Sequence, residues 1–211
     1  MKLGDIKIEA LKLMFVNSNI DFQIDQLKQL EYDEGYGSYL VNMCGSINRC
    51  FSSLEEKGVL PVKAYTLNLS EALASGSFLR FNLSSIINDF FEIERVVYEN
   101  ENGEYVGDCD YQREGDIIVL SNIGDGEYYT VLYKPKLQRI TAITDDFTEL
   151  PIPDNIASHI PYFVKGDLYR DDEPNEASEA RNWYESAMES ILEAKVSKVN
   201  KIKSVYSQTE I

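Results

Sequence analysis

The sequence predicts an α+β protein, a helical bundle built from N- and C-terminal helices with an inserted antiparallel β-sheet or sandwich domain. Two observations carry that prediction. Residues 4–58 and 150–205 place apolar side chains at three- and four-residue steps, the period of a helix with one buried face. Residues 61–149 instead show short runs rich in Val, Ile, Tyr, Phe and Thr, separated by turn residues. The 211 residues are enough for one or two domains with a proper core. The expected divisions are 1–60, 61–149 and 150–211.

The first helix is read from "IKIEALKLMFV", where Ile6, Ala10, Leu13 and Met14 share a face. A loop around residues 18–25 leads to a second helix with the stripe Leu40, Met43, Cys44, Ile47, Cys50, Phe51 and Leu54. Gly58 suits its C-terminal cap, and Pro61 prevents continuation. The strand-like runs are "VKAYTLNL", "SFLRFNL", "FFEIERVVYE", "GDIIVLSN" and "EYYTVLYK", giving about five to seven strands. Asn102-Gly103 is a strong hairpin signal, and "IGDGE" (Ile123 to Glu127) marks another turn.

The helical period resumes with Ile156, Ile160, Phe163, Val164 and Leu168. Pro161 inside that pattern predicts a kink, or a helix restarting there with the proline in its first turn. Acids at 171–173 precede the last helix, where its dipole favours negative charge. That helix carries Ala177, Ala180, Trp183, Tyr184, Ala187, Ile191 and Ala194, with Trp183 and Tyr184 expected to pack helix against helix. Leu150, Pro151, Pro153 and Pro161 are expected to set the junction between sheet and bundle.

Composition narrows function. Lys and Arg number 20 against 36 Asp and Glu, a net charge of −16, which argues against general or sequence-specific nucleic-acid binding. No stretch reaches the roughly 18 apolar residues of a membrane span, and the N-terminus lacks the features of a signal peptide. Cys44, Cys50 and Cys109 form no Cys-x-x-Cys pair and are read as small core residues of a reducing compartment.

Sites of chemistry are hard to place. His159 is the only imidazole and lies in an apolar helical context beside Ile160-Pro161, the setting of a capping or surface residue rather than a base. Phosphate-loop, dinucleotide and Gly-x-Ser-x-Gly patterns do not occur. "DCDYQREGD" (Asp108 to Asp116) fails as a calcium loop at its third ligand, its glycine and its twelfth position, so a β-turn is the better reading. Nothing selects a catalytic carboxylate pair from so many acids. No catalytic, cofactor or metal residue is assigned.

The order of segments is informative. "GEYYTVLYKPKLQRIT" is followed by "DDFTELPIPD", then "IPYFVKGDLYRDDEP" and "ASEARNWYESAMESI". This order, with "INRCFSSLEEKGVLPVKAYTL" running into the β segment, resembles the tail-adaptor (head–tail connector) proteins of tailed bacteriophages. The resemblance covers most of the chain through spacing and residue type. It implies a non-enzymatic virion structural protein that needs no cofactor and forms a ring, commonly of twelve copies, in the neck between portal and tail. Such a ring permits DNA passage and ejection and takes part in virion assembly. The implied partners are the portal protein and downstream neck or tail proteins, and the implied location is the virion, after synthesis in the bacterial host cytoplasm. The isolated protein could then be a monomer.

Charge along the last segment adds one expectation. Residues 150–193 hold ten acids and three bases, whereas "KVSKVNKIKSVYSQTEI" is basic. Lys195, Val196, Lys198, Val199, Lys201, Ile202, Lys203 and Tyr206 are expected to extend from the body as a portal-docking tail. The alternative reading is a non-catalytic carbohydrate- or protein-binding β module on a helical stalk. A hydrolase with an unremarkable carboxylate pair is the third.

Overall fold

The computed structural model describes residues 1–16, 21–73, 77–100, 102, 104–121 and 128–206, with side chains described as far as Lys195. The elements run α1 (Leu3–Met14), a 3-10 turn (Ile24–Gln26), α2 (Leu27–Leu30), α3 (Gly37–Lys57), β1 (Lys63–Thr66), a second 3-10 turn (Leu69–Glu71), β2 (Phe78–Asn82), α4 (Leu83–Ile86), β3 (Phe90–Glu99) and β4 (Tyr105–Asp108). They continue with β5 (Tyr111–Glu114), β6 (Ile117–Ser121), β7 (Tyr128–Pro135), α5 (Asp154–Ala157), α6 (Ile160–Leu168) and α7 (Pro174–Tyr206). Helices from both ends of the chain, with antiparallel sheets between them in sequence, make the protein α+β. Two compact units form, Met1–Val59 with Arg139–Ile211 and Leu60–Gln138.

In the helical unit the apolar stripes of α1, α3 and α6 close on one another. Leu3, Ile6, Leu11, Leu40, Met43, Ile47, Leu54, Ile160 and Val164 are all buried. The helix read from residue 40 begins at Gly37, and it ends where expected, at Gly58 with φ 65, a conformation glycine adopts without steric cost. The loop before it is longer than the sequence suggests and contains the 3-10 turn and α2. Pro161 lies in the first turn of α6, where a missing N–H costs nothing.

Residues 139–149 belong to this unit rather than to the β unit, which corrects the boundary read at 149. The physical reason is the N-terminus of α1, whose first N–H groups have no partner within the helix. Leu3 N donates to Thr148 O (2.9 Å) and Gly4 N to Asp146 O (2.7 Å), while Leu150 N donates to Met1 O. Below that contact Lys7 and Asp146 form a buried ion pair of 2.7 Å. Farther along α3, the Asn48 amide donates to Ile140 O (2.8 Å) and accepts from Ile140 N (2.9 Å). Arg139 grips both carboxylate oxygens of the buried Glu55.

The β unit is a two-sheet sandwich. One sheet has strand order β1-β7-β3-β4 and the other β2-β6-β5, with every pairing antiparallel. Five strands fall on the five expected runs, while β4 and β5 lie in stretches read as turn and connection. β5 runs through "YQRE" because Gly115, at φ 65, folds it back onto β6. The Asn102 turn joins β3 to β4 as an antiparallel pair. The turn read at Ile123 to Glu127 lies outside the described residues. Alternation builds the core: Leu79 and Phe81, Ile118 and Leu120, and Tyr129, Val131 and Tyr133 point inward from β2, β6 and β7. On β3 the inward residues are Phe90, Ile93 and Val96, spaced by three because register shifts interrupt the ladder.

Candidate interaction surface

The α6–α7 pair carries the most distinctive surface of the helical unit. The two backbones approach closely at Gly166. A Cβ there would sit 3.0 Å from Ala177 O and 3.2 Å from Arg181 N. Around this contact α7 buries Ala177, Ala180, Tyr184 and Met188, again at three- and four-residue steps. Tyr184 meets Phe163 edge-on at 5.0 Å, and the Arg181 guanidinium lies 4.4 Å from the Phe163 ring centroid. The register that buries Tyr184 turns its neighbour outward, since adjacent helical residues diverge by about 100°. Trp183 is therefore 68% exposed, which corrects the expectation that it packs between helices.

The outward Trp183 is not loose. Its ring stacks on Tyr162 of α6 at 6.2 Å, and Tyr162 in turn faces His159 at 6.5 Å. The three rings form a ladder across α6 and α7. Large aromatics held in one rotamer and left open to solvent are typical anchors of protein–protein contacts. His159 occupies the N-cap position of α6, and partial burial lowers its pKa, so it is neutral at pH 7. Tyr162 was not singled out in the sequence. The signal that could have found it is the pairing of Tyr162 and Trp183 on one side of the Gly166–Ala177 crossing.

None of the three thiols is activated. Burial pushes the Cys50 thiol up to about 12, and burial also raises Cys44 and Cys109, so all three are protonated near neutrality. Among the described residues, no group of three or more His, Cys, Asp or Glu is arranged to hold a metal. No helix among them is long and apolar enough to cross a membrane.

The expected site residues fall in two places. Leu150, Pro151 and Pro153 lie inside the helical unit beside the N-terminus, so they do not mark where the chain leaves the β unit; that point is Gln138. Pro153 instead precedes α5 as its N-cap. The basic segment is a continuation of α7 rather than a separate tail, with helical backbone through Tyr206. Lys195 donates to Gly58 O at 3.0 Å, tying α7 to the end of α3. The side chains of Val196, Lys198, Val199, Lys201, Ile202, Lys203 and Tyr206 lie outside the described residues. On the β unit, Tyr128 and Tyr105 both register with Glu99 from opposite sides and are about half exposed. Comparison with known proteins yields no match, either to a family model or to a curated protein sequence.

Proposed function

We propose that this chain is a head–tail connector of a tailed bacteriophage, a virion structural protein that assembles as a ring between portal and tail. The observation that supports the reading is the helical unit built from both ends of the chain, with the β unit inserted between them in sequence and the Trp183–Tyr162 stack, its tryptophan exposed, across α6 and α7. Shape presented to neighbours suits such a protein better than a reactive cleft does. The net charge of −16 suits a channel through which DNA slides without being gripped. In this reading the basic end of α7 docks on the portal. Negative-stain imaging of the protein mixed with its portal should reveal an added ring. A chain truncated after Ala194 should stay folded and lose portal binding. Absence of any association with portal, or unchanged binding by the truncated chain, would refute the respective part.

A second reading is favoured by one observation, the exposed Tyr105 and Tyr128 flanking Glu99 on one sheet of the β unit. Aromatic rings in such a row can stack on sugars, which makes a carbohydrate- or protein-binding module the alternative. Calorimetric titration with oligosaccharides tests it. Binding that disappears in Tyr128→Ala would favour the module over the connector.

A further inference from the structure

We propose that the four-stranded sheet binds a neutral, β-1,4-linked glycan on the face turned away from the sandwich core, with three consecutive pyranose units laid across β7, β3 and β4. The inference rests on the second reading above and names the ligand that reading leaves open. Tyr128, Glu99 and Tyr105 register with one another on three adjacent strands, so they form one row on one face of the sheet. Neighbouring strands lie about 4.8 Å apart, which sets the two tyrosines about 10 Å from each other with the carboxylate midway. That separation matches alternate units of an extended β-1,4-linked chain, which present the same ring face because successive units are turned over. The first and third units then stack on Tyr128 and Tyr105, and the second lies over Glu99.

A pyranose with equatorial hydroxyls carries its C–H groups on its two faces, and these meet the electron-rich face of an aromatic ring. Both rings are open for that contact, Tyr105 at 59% and Tyr128 at 48% exposure. Tyr105 is tied to its own strand, its hydroxyl donating to Asp108 Oδ1 at 3.2 Å, which lowers the ordering cost of binding. Glu99 is held as well, since Thr130 Oγ1 donates to its Oε2 at 3.2 Å. The Thr130 hydroxyl has only that one hydrogen, so Thr66 donates to Thr130 at 3.0 Å. The chain of hydroxyls fixes the carboxylate and leaves it acceptor capacity for sugar hydroxyls. The next row on the same face is Thr66, Thr130, Val97 and Asp108, all short side chains, so the sheet stays low beside the rings. A protein partner fits less well, because an apolar anchor seated across both rings would bury Glu99 without a further donor. Residues 60–138 hold thirteen acids and six bases, which repels an acidic glycan and selects a neutral one.

Calorimetric titration of the full-length chain with β-1,4-linked glucose and N-acetylglucosamine oligomers tests the assignment. Affinity for one of these series should rise at least about tenfold between the disaccharide and the trisaccharide, where the second tyrosine is first reached, and then level off. Maltotriose, which is α-1,4-linked, and acidic oligogalacturonate should not bind. Tyr105→Ala and Tyr128→Ala should each weaken trisaccharide binding about five- to tenfold, with the thermal melt unchanged. Tyr128→Phe keeps the stacking ring and should retain parental affinity. Binding to glycans of another linkage alone, or no step between two and three units, would overturn this inference while leaving the second reading in place. Binding indifferent to both alanine variants would remove the site from this face. Absence of binding to any of the glycans would overturn the inference and the second reading together.

Discussion

Asn48 and Ile140 are 92 residues apart in sequence and exchange two hydrogen bonds; Phe81 and Ile118 pack together within one uninterrupted stretch. The contrast runs through both units. The helical unit is assembled from two separated segments, and polar side chains fix where they meet: Lys7–Asp146, Arg139–Glu55 and Asn48 on the Ile140 backbone. The β unit is continuous and is held by alternation of apolar residues, while its ion pairs Lys63–Asp89, Arg80–Glu114 and Arg95–Asp108 stay near solvent. Apolar burial has no direction, so it can gather two segments without fixing their register. Charge pairs and amide–backbone bonds have direction, and here they set the register of the returning chain.

Breaking the buried pair should have the largest effect. Lys7→Met leaves the Asp146 carboxylate buried beside no cation and should cost about 3–5 kcal/mol in urea unfolding, whereas Lys7→Met/Asp146→Leu should recover most of that loss. A single variant within about 1 kcal/mol of the parent would remove the pair from the account. Phe81→Ala should cost about 3 kcal/mol, and hydrogen exchange should rise in Leu60–Gln138 while α1 and α3 keep their protection. Equal loss in both units would show that they do not fold by separate means.

Asn48→Ala should cost about 1–3 kcal/mol by leaving the Ile140 N–H and carbonyl unmatched. A smaller, pH-dependent effect belongs to Asp167. Burial alone would raise its pKa, but hydrogen bonds from Arg49 and the charges of Arg49 and Arg181 outweigh it and bring the group below the usual carboxylate value. A depressed carboxylate contributes stability above its unfolded pKa of about 3.9, and that contribution is lost as pH falls through the lower folded value. Arg49→Met should therefore lower stability at pH 7 and flatten the loss that sets in as pH falls below about 4, as read from denaturant midpoints. Smallest of all, Trp183→Ala should change monomer stability by no more than about 0.5 kcal/mol. A large destabilisation would place Trp183 in the core after all.

The fold class, five strands, the cap at Gly58 and the restart at Pro161 were legible because each depends on local period or backbone geometry. The return of residues 139–149 to the helical unit was not. It depends on contacts such as Asp146 to the α1 N-terminus, which no local pattern encodes. Strand β5 was hidden because "YQRE" pairs on one side only and carries polar residues. Trp183 was misread because its helix buries Tyr184 and Met188, and a stripe drawn through both aromatics averages two faces into one. The basic end of α7 was visible as charge, but its helical continuity to Tyr206 accords with the absence of any Gly or Pro after Pro174 rather than with a recognisable cap.

The grip of Arg139 on Glu55 has one more consequence. It brings the point where the chain re-enters the helical unit next to the last turns of α3, where the chain departs, so the 60–138 segment begins and ends at neighbouring points of that unit. Loop-closure entropy changes slowly with length, so the helical unit should be nearly indifferent to what fills the gap. A short glycine–serine bridge in place of that segment should leave a cooperative helical melt by circular dichroism, and a foreign domain grafted there should be tolerated as well.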